Sequence, residues 1–253
     1  MGGGRALPRF FIDRILDADE KTVTVEGEDA HHIGFSLRAR VGETYTLCDA
    51  ASFEYESTIE SITSDAVTFH ISSRTRSLAE PDIDVTLYQA FVKGDKLDDI
   101  VQKAVELGVK TVVPVEMRNC VSRPDEKSAR KKTERLNKIA KAAAMQSMRG
   151  AVPTVGDAVS FRTAIERMKA CDIAFVCYET TPHVPLRAVL RSMKNCKTAA
   201  VLVGPEGGID ESEANAAKEA GIALVSLGSR ILRTETAPLA ALAALMYETG
   251  NLD

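Results

Sequence analysis

Two glycine-bearing turns near the carboxy terminus hold the residues best suited to chemistry. Gly204-Pro205-Glu206-Gly207-Gly208 sets one carboxylate among backbone N–H groups. Gly228-Ser229-Arg230-Ile231-Leu232-Arg233-Thr234-Glu235-Thr236 sets guanidinium, carboxylate and hydroxyl groups side by side. Neither is a phosphate loop: a Walker loop ends in Gly-Lys-Ser/Thr, and the dinucleotide fingerprint needs glycines at its first, third and sixth positions. Glu206 also puts negative charge where a phosphate would meet helix N–H groups, which favours a neutral or cationic ligand. The bland alternative is that the glycines only close tight turns. No cysteine lies in the glycine-loop region to serve as a nucleophile.

Such turns need a scaffold, and the flanking sequence supplies one. Residues 199–203 and 222–227 are short apolar runs with the length and branching of buried strands, each followed by glycine. Asp210 stands three residues before Glu213, a capping-box spacing, so a helix is expected from there to about Gly221. Residues 237–246 are apolar on nearly every face and predict a buried helix, with the charged loop before it held against protein. Upstream, strands are expected at 83–91, 111–115 and 171–179, with helices at about 96–107 and 130–148 and a turn-rich loop at Thr180–Pro185. This alternation reads as a parallel sheet. The first eighty residues differ: runs at 21–25, 43–48, 53–59 and 66–71 alternate with period two and suggest a small barrel. The polar, proline-ended stretch 72–81 reads as a linker.

The chain has 253 residues, 45% of them hydrophobic, and no apolar run long enough to span a bilayer. Met1–Gly4 does not begin a signal peptide, so a cytoplasmic location without membrane attachment is expected. Five scattered cysteines include no C-x-x-C pair, which suggests neither a disulfide framework nor a metal site. The net charge is −4, yet residues 118–149 carry 10 basic against 3 acidic side chains. That segment is either a solvated helix face or a phosphate contact.

The string LVGPEGG, followed by LGSRILRTETA and an Ala/Leu helix, resembles the SPOUT superfamily of S-adenosylmethionine-dependent RNA methyltransferases. Within it the chain is similar to the RsmE family. Arg9-Phe10-Phe11, the element from His31 to Glu43, Lys93-Gly94-Asp95-Lys96 with QKAVELG, and Gln146-Ser147-Met148-Arg149 extend the likeness over nearly the whole chain. Ser36, Met145 and Ala151 depart from the family pattern, so no role is carried to the last two. The resemblance implies an α/β fold: a C-terminal SPOUT trefoil-knot methyltransferase domain (78–253) preceded by a small PUA-like β-barrel domain that binds RNA (1–77). It implies methylation of N3 of a uridine in 16S ribosomal RNA, at position 1498 of that RNA, with the small ribosomal subunit as its setting, and a homodimer through the knot domain.

Carried onto this chain, the resemblance implies a cofactor wall of Tyr178, Glu179, Leu202, Val203, Gly204, Pro205, Glu206, Gly207, Gly208, Leu227, Gly228, Ser229, Ile231, Leu232, Arg233, Thr234 and Thr236. Leu202, Leu227, Ile231 and Leu232 would pack on the adenine faces. Candidate RNA contacts are Arg9, His32, Arg38, Lys93, Lys96 and Arg149. For the chemistry, losing the N3 proton pushes charge onto O2 and O4 of the uracil, which a cation would stabilise in the transition state. Arg233, or Arg149 from a partner subunit, fits that role, and Glu206 or Glu235 fits the proton acceptor. Three other readings stay open: a SPOUT enzyme of other specificity, such as ribose 2'-O methylation; a non-catalytic RNA-binding protein; and a nucleotide-binding α/β enzyme, which the missing phosphate-loop fingerprints weaken.

Overall fold

The computed structural model describes residues 7–180, 183–192 and 195–252. Met1–Gly4, and Thr181 and Pro182 of the expected turn-rich loop, lie outside the described residues. The chain divides into two compact units, one of residues up to Glu80 plus Ala144–Val152, the other of Pro81–Ala143 plus the chain from Pro153 on. The stretch from Ala144 to Val152 thus joins the amino-terminal unit across a long gap in sequence, a membership that no linear boundary at 77/78 anticipates.

The first unit is built on a five-stranded sheet in the order β1-β3-β4-β5-β2. Its strands are β1 (Arg9–Phe11), β2 (Thr22–Glu26), β3 (Thr44–Cys48), β4 (Phe53–Ile62) and β5 (Ala66–Arg76). β1 pairs with β3 in parallel and the other pairings are antiparallel. Alternation delivers one side chain in two to the core, so Val23, Val25, Leu47, Tyr55, Val67 and Phe69 are buried together with Phe10 and Ile33. A short helix, α1 (Gly27–His31), runs directly into a wider π-type turn at His32–Ser36. One expectation is corrected here. The stretch read as a linker from Ser72 continues β5 through Arg76, because its polar residues pair with the start of β4, Arg76 opposite Phe53. The Arg74 guanidinium lies 3.9 Å from the centre of the Phe53 ring, which covers apolar surface that hydropathy alone leaves exposed.

The second unit is a parallel sheet in the order β11-β13-β10-β12-β6-β7-β8, with β9 also pairing with β7. The strands are β6 (Asp84–Ala90), β7 (Thr111–Glu116), β8 (Thr154–Val155), β9 (Val159–Ser160), β10 (Ile173–Cys177), β11 (Val184–Pro185), β12 (Thr198–Val203) and β13 (Ala223–Ser226). The helices are α2 (Lys96–Glu106), α3 (Glu126–Gln146), α4 (Phe161–Met168), α5 (Leu186–Leu190), α6 (Glu211–Glu219) and α7 (Ala237–Glu248). The central strands β10 and β12 are nearly all apolar because both faces of a parallel sheet are covered, and in β6 even Gln89 is buried. β13 returns between β10 and β11, so the two glycine turns leave the same end of the sheet on either side of β10.

Helix α7 differs from the expectation of burial all round. Ala237, Pro238, Ala241, Leu242, Leu245 and Met246 are buried, while Leu239, Ala240, Ala243 and Ala244 are half-buried and Tyr247 is 69% exposed. The buried stripe packs on α2 and β12. Close packing is enforced at Gly108, where a Cβ would stand 2.8 Å from Pro81 Cγ and 3.2 Å from Met246 Cε. No helix among the described residues is long and apolar enough to cross a membrane.

Candidate functional site

Three adjacent parallel strands, β12, β10 and β13, deliver their carboxyl-end loops to one cavity of about 370 Å³. The end of an open α/β sheet is where such folds place ligands, and the volume falls within the usual range for small-molecule sites. β10 contributes Cys177, Tyr178 and Glu179; β12 contributes Val203 to Glu206, with Gly208 and Ile209; β13 contributes the whole run from Ser226 to Glu235. All of these belong to the second unit.

The loops are braced by contacts between residues far apart in sequence. Thr234 is buried, donates from Oγ1 to the Gly204 carbonyl at 2.7 Å and accepts from Gln89 Nε2 at 3.2 Å, so it ties the second glycine turn to the first and to β6. Asn119 donates to the carbonyls of Gly207 and Gly208 at 3.3 and 3.2 Å. Gly204 leaves no room for a side chain, since a Cβ there would lie 2.5 Å from Ile209 Cγ1. At Gly208 the backbone φ of +72° favours glycine, and a Cβ would meet Glu179 Oε1 at 2.6 Å.

Charge at the rim is organised around Lys96. Its Nζ lies 3.1 Å from Glu206 Oε1 and 3.4 Å from Glu235 Oε2, and Glu206 Oε1 also accepts from the Lys93 backbone N–H at 3.1 Å. One ammonium thereby joins the loops after β6, β12 and β13. Burial disfavours charge on Glu206, but hydrogen bonds from its own and Lys93's backbone N–H and from Lys96 hold its carboxyl below the ordinary range. Cys177, in the cavity wall, has its thiol pushed up to about 12 by burial and stays protonated. Arg233 and Glu179 line the cavity and are exposed.

The expected cofactor wall is largely assembled, with three exceptions. Leu202 is fully buried in β12 and cannot pack against a ligand. Gly207 turns toward Asn119, whose Cβ and carbonyl oxygen would each lie 3.1 Å from a Cβ there, and Thr236 is exposed beyond the lining. Ile231 reaches the rim but is 84% exposed, so it does not form a packed face. The loop as a whole lies more open to water than its apolar sequel predicts: Gly228, Ser229, Arg230 and Arg233 are exposed and only Thr234 is buried. Ser226, Ile209 and Arg230 line the cavity without having been singled out, although all three adjoin the glycine turns.

Several candidate RNA or catalytic residues have other work. Glu206 is ion-paired and acidic, a weak proton acceptor rather than a general base. Lys96 is engaged by two carboxylates rather than free for phosphate. Arg9 is buried in the first unit, donating to Glu54 at 2.9 Å and to the Arg149 carbonyl at 2.8 Å. Arg149 is buried as well, its Nε and Nη2 donating to the two Glu80 oxygens at 2.9 and 2.8 Å, which removes it from both the RNA and the catalytic lists. His32 and Arg38 are exposed on the first unit, Arg38 with φ +54°, and Lys93 keeps an exposed side chain. Among the described residues no group of three His, Cys, Asp or Glu side chains could hold a metal ion.

Glu213 extends the bracing. It is buried and accepts from the Arg118 backbone N–H at 3.0 Å, joining the loop after β7 to the start of α6, while Asp210 caps α6 through Ser212 N at 3.0 Å. Burial raises the Glu213 carboxyl above its ordinary 4.5. With the folded-state value above the unfolded one, the contribution is full below pH 4.5 and is lost as pH rises through the raised value. A Glu213→Gln variant is therefore expected to gain in melting temperature relative to the parent as pH climbs from 4.5 to neutrality. A difference that stays constant across that range would refute the assignment.

Comparison with known proteins bears on the whole chain. A family model described as an RNA methyltransferase domain matches residues 79–246. A curated relative, ribosomal RNA small subunit methyltransferase E of Bacillus subtilis, is 36% identical over 97% of this chain and 98% of its own. The crystal structure of the protein of that name from Neisseria gonorrhoeae, bound to S-adenosyl methionine, is similar with a TM-score of 0.83 and 32% identity, covering 95% of this chain and 97% of that one. A methyltransferase from Legionella pneumophila in complex with the same cofactor gives a TM-score of 0.82 at 26% identity, covering 96% and 98%. Sequence, site and likeness agree that the chain belongs to the RNA methyltransferase family, in the group of the ribosomal RNA small subunit methyltransferase E proteins.

Proposed function

We propose that this chain transfers a methyl group from S-adenosylmethionine to N3 of a uridine in 16S ribosomal RNA, the uridine at position 1498. Membership of the family makes it an S-adenosylmethionine-dependent ribosomal RNA methyltransferase; the atom and the nucleotide are the proposal. The first unit acts as a PUA-like RNA-binding domain, with His32 and Arg38 as RNA contacts, and Lys93 of the second unit is a further RNA contact. The second carries a trefoil knot, through which two chains pair in the cytoplasm, and the substrate is met within the small ribosomal subunit. The half-buried Leu239, Ala240, Ala243 and Ala244 stripe on α7 supports a second chain as its cover.

The observation that carries the reading is the cavity shared by the loops after β10, β12 and β13. Its residues fit the cofactor. Exposed backbone groups of Gly228 and Ser229 suit an adenosyl moiety, and the Glu179 carboxylate, which has no ion-pair partner among the described residues, suits a positive charge. When bound, the cofactor supplies a methyl group on a positively charged sulfur, open to in-line displacement. The chain's part is positioning and electrostatics, a contribution of about 7–11 kcal/mol at best for orientation alone. As N3 gives up its proton to solvent, negative charge grows on the uracil oxygens; it would be discharged when N3 takes the methyl group and the electron pair of the broken carbon–sulfur bond stays on sulfur. Arg233, exposed at the rim and without an ion-pair partner among the described residues, is the cation that can meet it.

Incubating the protein with labelled S-adenosylmethionine and small ribosomal subunits, then digesting their 16S RNA to nucleosides, should yield N3-methyluridine. Label on a ribose 2'-oxygen, or none, would overturn the proposal. An Arg233→Ala variant should lose about tenfold in kcat with cofactor affinity unchanged, less than the hundredfold or more of a water-excluded oxyanion site, because this guanidinium is exposed.

A further inference from the structure

Helix α3 concentrates positive charge that the site does not use. Its 21 residues carry seven basic and two acidic side chains in a protein of net charge −4. At 3.6 residues per turn, Lys127, Lys131 and Lys138 fall within about 40° of arc and span about 16 Å along the axis. All three are exposed and none has an ion-pair partner among the described residues. The adjoining flank is spoken for: Arg135 pairs with Asp95 and Asp98, and Lys132 Nζ lies 5.9 Å from the centre of the Phe91 ring. Those contacts fasten α3 to the loop after β6, the loop whose Lys96 stands at the cavity rim.

The lysine row has a cost in stability. Lys127 and Lys131 are four residues apart on one face, and like charges at that spacing destabilise a helix. Glu134 lies on the same face, but it is engaged by Arg130 at 3.5 Å. Glu126 and Asp125 stand at the helix start, where Asp125 accepts from Ser128 N at 2.7 Å. A solvated face gains nothing from three unpaired ammonium groups in a row, whereas a run of phosphates does.

We infer that the Lys127, Lys131 and Lys138 face of α3 is a docking surface for the sugar-phosphate backbone of the RNA substrate. The inference rests on the reading that the substrate is RNA. The row follows successive phosphates while the target base enters the cavity beyond Lys96, so it sets affinity and not chemistry.

The test is a triple Lys127→Gln, Lys131→Gln, Lys138→Gln variant of the full chain, against a control triple Lys103→Gln, Lys169→Gln, Lys218→Gln. Glutamine keeps the helix propensity, and cofactor binding and melting temperature report folding. With 16S RNA fragments, the α3 variant should bind about tenfold more weakly, raise KM with kcat unchanged, and flatten the slope of log affinity against log salt by about 2–3. The control triple should leave the slope within a few tenths. Equal effects of both triples, or none from the α3 triple, would overturn the inference, as would α3-dependent binding of anionic lipid vesicles with RNA affinity unaltered. Should the wild-type chain bind RNA through α3 yet transfer no methyl group to it, the docking surface stands and the proposed activity falls.

Discussion

Replacing Gly204 with alanine is expected to weaken S-adenosylmethionine binding by about thirty- to a hundredfold while leaving the chain folded. The added Cβ would stand 2.5 Å from Ile209 Cγ1, a side chain only 8% exposed and unable to swing clear. Overpacking of this kind costs about 1–3 kcal/mol, and here the upper end applies because the loop has few ways to yield. Its carbonyl is held by Thr234 at 2.7 Å, and the following glycines are held by Asn119. Relief by displacement must therefore break one of those bonds or open the cavity. A Gly204→Ala, Ile209→Ala double variant restores the missing space and should recover most of the affinity. If calorimetry finds the single variant within threefold of wild type, or finds no recovery in the double, the loop is not the binding element described here.

The second large effect is on stability. An Arg149→Ala variant should lose about 3 kcal/mol, the low end for stranding one member of a buried ion pair, because the Glu80 side chain remains 21% exposed. Glu80 accepts from Arg149 Nε and Nη2 and from the Gly150 and Ala151 backbone N–H groups at 2.8 and 3.2 Å, so one carboxylate fastens the whole segment that follows α3. Arg9 adds a bond to the Arg149 carbonyl. Gly150 completes the fit, since a Cβ there would fall 2.2 Å from Ser77 Cβ. Removing the guanidinium leaves Glu80 charged with half of its donors gone. Chemical denaturation should show the loss, and Arg149→Lys should recover only part of it, because an ammonium cannot form the parallel pair of bonds. Were Arg149→Ala to unfold at the wild-type denaturant concentration but fail in catalysis, a direct role at the reacting base would be restored.

The glycine turns, the strands that feed them and the order of alternation were legible in the chain itself. Period-two burial in β2 and β3, the apolar runs of β10 and β12 and the Asp210 cap of α6 depend on residues within a few positions of one another. Local patterns of that kind carry their meaning without the fold. Most of the cavity lining was named in advance as well, through the family resemblance rather than through spacing, and each of its loops continues the end of a strand.

Partnership between distant charges was not legible. Lys96 and Glu206 are 110 positions apart, and Glu80 and Arg149 are 69 apart. A lysine after a strand and an arginine after a helix look the same in sequence whether they face water, phosphate or a carboxylate. The tertiary structure decided it by bringing the loops after β6, β12 and β13 to one rim, and by gathering residues 144–152 onto the unit that contains Glu80. Once a carboxylate is that near and partly buried, pairing is worth more than exposure, and the charge is no longer available to RNA. The chain alone therefore determined which loops line the cavity, and folding selected which of its cations stay clear of a carboxylate.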